Sequence, residues 1–340
     1  MSAADGPILV TGALGCIGSW TVRELLATGA QVVALDPAGD TRRLAMLTSP
    51  DLMSGMRLVP ADITDLGTIE QLLVEHGVQE IIHLAALQLP FCRADPPRGA
   101  AVNVLGTVNV FEAARRAGVT RVVFTSSVAV FDQKGGRVES DATPRPASHY
   151  GVYKLANEGT ARAYWHDFGV SSIGIRPMTV YGPGRDRGLT SSPTKAILAA
   201  VLGCSYEIGF GGSSLFHHAG DVARALVAAV RTSTEGARIL NLNGAHATVS
   251  EILETLRDLL GQAADGITAK TEPIPFPDDV DTTGLDVIGP PTVTPLHEGI
   301  ADTVRFFSDL RSRGALVPED HGLLISNGAA VDRESPPDAP

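Results

Sequence analysis

Cysteine, aromatic residues and lysine are all scarce in this chain. The three cysteines in 340 residues, Cys16, Cys92 and Cys204, stand far apart with no CxxC spacing. Neither a disulfide framework nor a zinc site follows from that pattern, and no metal is expected. Aromatics make up 5%, and only four of the 27 basic residues are lysine. The formal net charge of −11 argues against a nucleic-acid backbone or an anionic membrane surface as partner. No apolar run reaches the ~18 residues that cross a bilayer, and no basic segment leads into an apolar one at the start. A cytoplasmic protein with a small-molecule substrate is the expectation.

The chain does have enough apolar material for a large core. Hydrophobic residues make up 44% and charged residues 19%, the balance of a globular protein. Short aliphatic runs at Pro7–Thr11, Gln31–Asp36, Met56–Pro60, Glu80–Leu84, Arg121–Ser126 and Ser172–Arg176 read as strands covered on both faces. Helical patterns lie between them at roughly 17–28, 65–75, 98–117 and 149–168. Strand and helix alternating at this length predict an α/β fold with a doubly wound parallel sheet. After Pro177 the texture becomes irregular, with helices near 194–203, 221–232 and 250–260 and a strand near 238–242. The domain reading is a dinucleotide-binding unit at 1–180, which also receives segments around 216–245. A substrate lobe follows at 181–215 and 246–317, and a fraying tail at 318–340.

Thr11-Gly12-Ala13-Leu14-Gly15-Cys16-Ile17-Gly18 follows the first strand and opens a helix. Gly12 permits the tight turn, Gly15 lets backbone approach a pyrophosphate, and Gly18 allows helix to pack on strand. The helix start then offers free N–H groups to the phosphates, with Leu14, Cys16 and Ile17 in the loop. Cys16 fits there as a small residue, not as a nucleophile. Asp36 closes the second strand, where a carboxylate accepts ribose hydroxyls and repels a 2′-phosphate, favouring NAD. Asp62 and Ile63 end the third strand near the expected adenine. Leu84, Ala85 and Ala86 end the fourth and leave room for the cofactor. His83 reads as a core residue.

Tyr150 and Lys154 are four apart on a predicted helix and so share a face. An ammonium ~5 Å from a phenolate contributes ~3 kcal/mol at an effective dielectric of ~20, which would lower the phenol pKa by about two. A phenol so tuned can serve as a base. Ser127, with Ser126 as competitor, follows the fifth strand and can hold the substrate oxygen. Thr125 and Pro177, at strand ends, are expected beside the cofactor. Asn103, polar on an apolar helix, needs a partner.

These segments resemble the extended short-chain dehydrogenase/reductase superfamily, in its NAD-dependent epimerase/dehydratase group. The resemblance covers about residues 7–260 and rests on TGALGCIG at 11–18, HLAA at 83–86, TSS at 125–127, YGVYK at 150–154 and RPMTVYGPGR at 176–185. It implies a Rossmann domain and a small substrate lobe. It also implies a Ser127–Tyr150–Lys154 triad, with Lys154 holding the nicotinamide ribose, and a homodimer paired through a four-helix bundle.

Departures from the group narrow the substrate. Its dehydratases carry Asp-Glu after the catalytic hydroxyl, whereas Val128-Ala129 follow Ser127 here. Its nucleotide-sugar epimerases place an arginine shortly before the segment ending in Asp221, and Asn where Thr179 stands; Ser213–His218 here holds no arginine. A smaller polyhydroxy substrate is therefore expected. Gln88, Ser127, Thr179, Arg185, Arg187 and Ser191 are candidate contacts, an arginine being suited to clamp a carboxylate. The expected activity is NAD-dependent oxidation of a secondary alcohol in a sugar, sugar acid or hydroxy acid. The alternative is an NAD-dependent sugar or nucleotide-sugar epimerase, and a non-catalytic NAD-binding protein is the third reading.

Overall fold

The computed structural model describes residues 6–333 except 132, 140 and 290. Seven strands form the central sheet: β1 (Ile8–Thr11), β2 (Val32–Leu35), β3 (Met56–Val59), β4 (Glu80–His83), β5 (Arg121–Thr125), β6 (Ser171–Arg176) and β7 (Ala237–Asn241). Their order is β7-β6-β5-β4-β1-β2-β3 and every pairing is parallel. Six of the seven match the strands read from sequence to within a few residues, and β7 matches the segment near 238–242.

The alternation of side chains along a strand sends neighbouring residues into opposite layers. Ile8 and Val10 join Ala34, Ile82 and Val123 in one core, under the helices Cys16–Ala27 and Ala219–Arg231. Leu9 joins Val33, Leu35, Ile81 and Phe124 in the other, under the helices Leu66–Glu75 and Gly106–Ala117. Both faces are dry, which is why these strands are aliphatic throughout. Strand order reverses between β1 and β4, and the carboxyl ends of those strands open the crevice where ligands bind in such sheets.

The helix expected at 98–117 is interrupted. Pro96–Ala100 leads into a π-helical turn at Ala101–Leu105, and a regular helix resumes at Gly106–Ala117. The turn places Asn103 inward, and such widened turns recur at functional sites.

The second lobe holds a three-stranded sheet in the order Ala245–Thr248, Ser213–His218, Thr179–Tyr181. Around it lie the helices Ser192–Leu202, Val249–Leu260 and Leu296–Ser312, with their own core containing Ile197, Phe216, Ile252 and Phe307. The helix Leu296–Ser312 is absent from the sequence reading, although Ile300, Val304, Phe307 and Leu310 face the core at helical spacing. No helix among the described residues is long and apolar enough to cross a membrane.

Residues 318–333 differ from the fraying expected at the carboxyl end. Pro318–His321 forms a 3-10 turn, and Leu323–Ser326 pairs antiparallel with Ala329–Asp332. Leu323 and Ala330 are buried in the second core, and Asp332 accepts hydrogen bonds from the Lys195 ammonium (3.0 Å) and the Tyr206 hydroxyl (2.7 Å). Apolar burial and this ion pair hold a segment whose composition alone reads as a tail; residues 334–340 lie outside the described residues. Leu323→Ala should lower unfolding free energy by about 2–5 kcal/mol in urea titration. An unchanged midpoint would mean the hairpin does not dock.

Candidate active site

The glycine turn is shaped by steric necessity. Gly12 has φ +64°, and a Cβ there would lie 2.7 Å from the backbone of Ala85. A Cβ on Gly18 would lie 2.1 Å from the Gly12 carbonyl oxygen. Gly15 is the N-cap of the helix Cys16–Ala27 and caps it with no side chain, so the first N–H groups stay open. The Asp36 carboxylate accepts from the backbone N–H of Leu14 (3.2 Å), which fixes it at the edge of the turn. Arg42 is engaged by Asp40 and Asp320, and Arg43 by Asp186 and the Leu14 carbonyl, so both guanidinium groups already hold partners beside the cradle. The cradle fits a dinucleotide with an unmodified adenosine ribose.

The remaining residues expected at the cofactor sort into two kinds. Leu84 and Ala85 meet the Thr11 hydroxyl through their N–H groups (3.3 Å each), which aligns the β4 end with the glycine turn. His83 is buried between the hydroxyls of Thr11 (2.7 Å) and Thr107 (3.0 Å), and burial pushes its pKa down to about 3. It is a neutral core residue, as expected. Asn103 bonds the Leu87 backbone on both sides, accepting from its N–H (2.7 Å) and donating to its carbonyl (2.9 Å). It thereby sets the loop that carries Gln88. Asp62 is exposed and accepts from the Thr64 N–H, while Ile63 is buried against Gly106. Burial raises the Cys16 thiol to about 11, so it stays protonated.

Ser127, Tyr150 and Lys154 converge. Ser148 caps the helix His149–Phe168 by accepting from the Gly151 N–H (3.1 Å). That helix approaches the turn after β5 so closely that a Cβ on Gly151 would lie 2.1 Å from the Ala129 carbonyl oxygen. Ser127 accepts from the Ala129 N–H (3.1 Å), and its hydroxyl lines the same cavity as the Tyr150 phenol, whose pKa it helps to lower. The buried Lys154 ammonium donates to the Thr125 carbonyl (2.8 Å) and lies 5.6 Å from the Tyr150 ring centre. Ser126, the competing hydroxyl, is buried and donates to Glu158 (2.6 Å). Glu158 in turn pairs with Arg176 through two hydrogen bonds, of 2.7 and 2.6 Å. Ser126 is thus engaged in tying helix to sheet, and Ser127 is left facing Tyr150.

The electrostatics differ from the sequence reading. Burial raises the Tyr150 phenol to about 12, and the cation that opposes this rise is Arg185. Lys154 is itself pushed down to about 8 by burial. In the protein alone, desolvation outweighs the expected depression of the phenol.

A cavity of about 110 Å³ opens beside Ser127 and Tyr150. Gln88, Pro177 and Arg185 line it, as does Thr190 of the hydroxyl-bearing stretch 188–192 that the sequence offers beside Arg185; Phe276 also lines it, and sequence reasoning missed that residue. The Arg185 guanidinium donates to the Thr190 hydroxyl (2.7 Å). Three other expected contacts lie elsewhere. Thr179 is buried against Ser214 (2.7 Å between hydroxyls), Ser191 donates to the Gly188 carbonyl (2.8 Å), and the exposed Arg187 faces neighbouring clefts. Alternation turns Thr179 away while its neighbours Met178 and Val180 reach the cavity.

Comparison with known proteins agrees with this geometry. The model of the NAD dependent epimerase/dehydratase family matches residues 8–242. The chain belongs to that family. NAD is the family's cofactor, in keeping with the cradle and Asp36. The chain is 35% identical to a UDP-glucose 4-epimerase of Mycolicibacterium smegmatis, over 88% of this chain and 97% of that protein. It is 31% identical to MoeE5, solved with UDP-glucose and NAD, with a TM-score of 0.74 over 91% of this chain and 100% of MoeE5. The UDP-glucose 4-epimerase of Thermus thermophilus, solved with NAD, is 27% identical over 91% of this chain and 100% of that one, with a TM-score of 0.73.

His83, His217 and His218 are all buried with pKa values lowered to about 3, 4 and 4, burial being the main cause. Below pH ~6.5 the unfolded chain takes up protons that the folded chain refuses, so stability should fall as pH drops from ~6.5 toward 4. Melting temperatures across that range check this, and His83→Gln should flatten the slope.

Proposed function

We propose that this protein is an NAD-dependent sugar epimerase that oxidises a ring carbinol and then restores it with inverted configuration. The observation that carries this reading is the Ser127–Tyr150–Lys154 cluster beside a dinucleotide cradle, in a chain resembling 4-epimerases over most of its length. Those relatives favour inversion over the net oxidation expected from sequence.

Gly15 and the open N–H groups at the start of the helix Cys16–Ala27 would receive the pyrophosphate, Asp36 the adenosine ribose, and Lys154 the nicotinamide ribose. Held there, NAD would supply the acceptor, and on return the donor, for the hydride of the carbinol carbon. Tyr150 removes the hydroxyl proton on oxidation and gives it back on reduction. Ser127 donates a hydrogen bond to the same oxygen and keeps it aligned with the phenol. Arg185 lowers the cost of forming the phenolate, and Lys154, anchored on the Thr125 carbonyl, adds positive charge near the ring. Half-burial of Ser127 and Tyr150 leaves the cavity open to a ligand while limiting water.

Net oxidation is the second reading, favoured by Arg185, whose guanidinium suits the carboxylate of a hydroxy acid. Cofactor turnover separates the two. An epimerase yields the inverted sugar without accumulating NADH, whereas a dehydrogenase accumulates NADH in step with product. Tyr150→Phe should reduce turnover by ~100- to 10 000-fold with the fold intact by circular dichroism. Wild-type turnover in that variant would reject the assignment for both readings.

A further inference from the structure

The charge inside the cavity narrows the substrate. Among its described lining residues, Arg185 is the only charged one. The wall contributed by the second lobe is apolar, with Met178, Val180 and Phe276, and Val128 adds to it. Behind that wall, the hydroxyls of Thr179 and Ser214 are spent on each other. The strand Ser213–His218 carries no arginine or lysine, and burial keeps its two histidines neutral at ordinary pH.

Two polar atoms on the cavity residues are buried and without a partner, the Gln88 side-chain oxygen and the Arg185 Nε. They are one acceptor and one donor, on two side chains that both pack beside Gly188. A Cβ on Gly188 would lie 2.2 Å from that Gln88 oxygen and 3.4 Å from an Arg185 guanidinium nitrogen. Buried polar atoms of this kind call for a partner, and a ligand with a hydroxyl and an anionic oxygen supplies both. A buried charge must be matched, and one guanidinium matches one anion. A nucleotide diphosphate brings at least two negative charges. The cleft beyond Leu189 holds Arg187, Lys195, Lys270 and Arg333, with Lys195 taken by Asp332, Glu207 beside them and Asp186 paired with Arg43, so these further cations lie outside the cavity that Tyr150 faces.

We propose that the substrate is a free sugar acid, with one carboxylate, several hydroxyls and no nucleotide handle. Arg185, steadied by Thr190, holds the carboxylate, and Gln88 accepts from a neighbouring hydroxyl. This rests on the reading that Tyr150 acts on a sugar carbinol.

Titration calorimetry on the NAD-saturated protein tests it, with D-glucuronate, D-galacturonate and D-gluconate against D-glucose, UDP-glucose and UDP-glucuronate. At least one free acid should bind more tightly than D-glucose and than either nucleotide sugar. Arg185→Gln should weaken that binding by about 10- to 100-fold and leave the NAD affinity unchanged. If none of the free acids binds, or if the nucleotide sugars bind more tightly than they do, the proposal is overturned. The epimerase reading is scored separately on the products. Bound free acids with stoichiometric NADH would uphold this proposal and reject inversion. Inversion of a nucleotide sugar without free-acid binding would do the reverse.

Discussion

The site depends on one close approach. The helix His149–Phe168 can reach the turn after β5 only because Gly151 has no side chain to strike the Ala129 carbonyl. Once there, Lys154 closes on the Thr125 carbonyl, and Ser127 meets Tyr150. Ser126, Glu158 and Arg176 form a buried, fully paired network that fixes the same helix against the sheet. Such networks rigidify when every member is satisfied. The phenol, the serine hydroxyl and the ammonium are therefore placed by backbone geometry and by a support that itself does no chemistry.

The second lobe is tied to the first by charge. Arg43 follows the second strand of the cofactor domain, donates to the Leu14 carbonyl at the glycine turn, and pairs with Asp186 of the loop carrying Arg185. Arg42 pairs with Asp320 of the carboxyl-terminal segment. Trp20, in the helix after the glycine turn, donates to the Pro183 carbonyl (2.9 Å). These contacts hold the loop with Arg185, and the cavity it lines, beside the cofactor cradle. The exposed Arg42–Asp320 pair contributes little stability, whereas the Arg43–Asp186 pair is largely buried.

Much of the site was legible because its chemistry needs particular residue types at fixed spacings. Gly12, Gly15, Gly18 and Asp36 could be placed from one strand and one helix start. Tyr150 and Lys154 could be paired from helical periodicity. The substrate contacts were harder to read, because they depend on which way short strands turn their side chains. Thr179 and Ser191 sit in sequence beside the cavity residues Val180 and Thr190, yet both face inward to structural partners. Thr190 and Phe276 lie far apart in sequence and meet only in the folded lobe. In the protein alone the phenol pKa lies higher than the spacing of Tyr150 and Lys154 suggests, for a similar reason. Spacing reveals a nearby cation, but only the packed structure reveals how much water has been removed.

By itself the sequence determined the parallel sheet, the dinucleotide cradle and the placement of Tyr150 and Lys154 on one helix face. Each follows from local rules of periodicity, turn geometry and side-chain reach. Tertiary structure alone decided that Ser126 is taken by Glu158 while Ser127 lines the cavity with the phenol, that residues 318–333 dock, and that Arg185 is the one charged residue among the described residues lining the cavity. Those outcomes depend on burial and on partners distant in sequence, which no short window of residues contains.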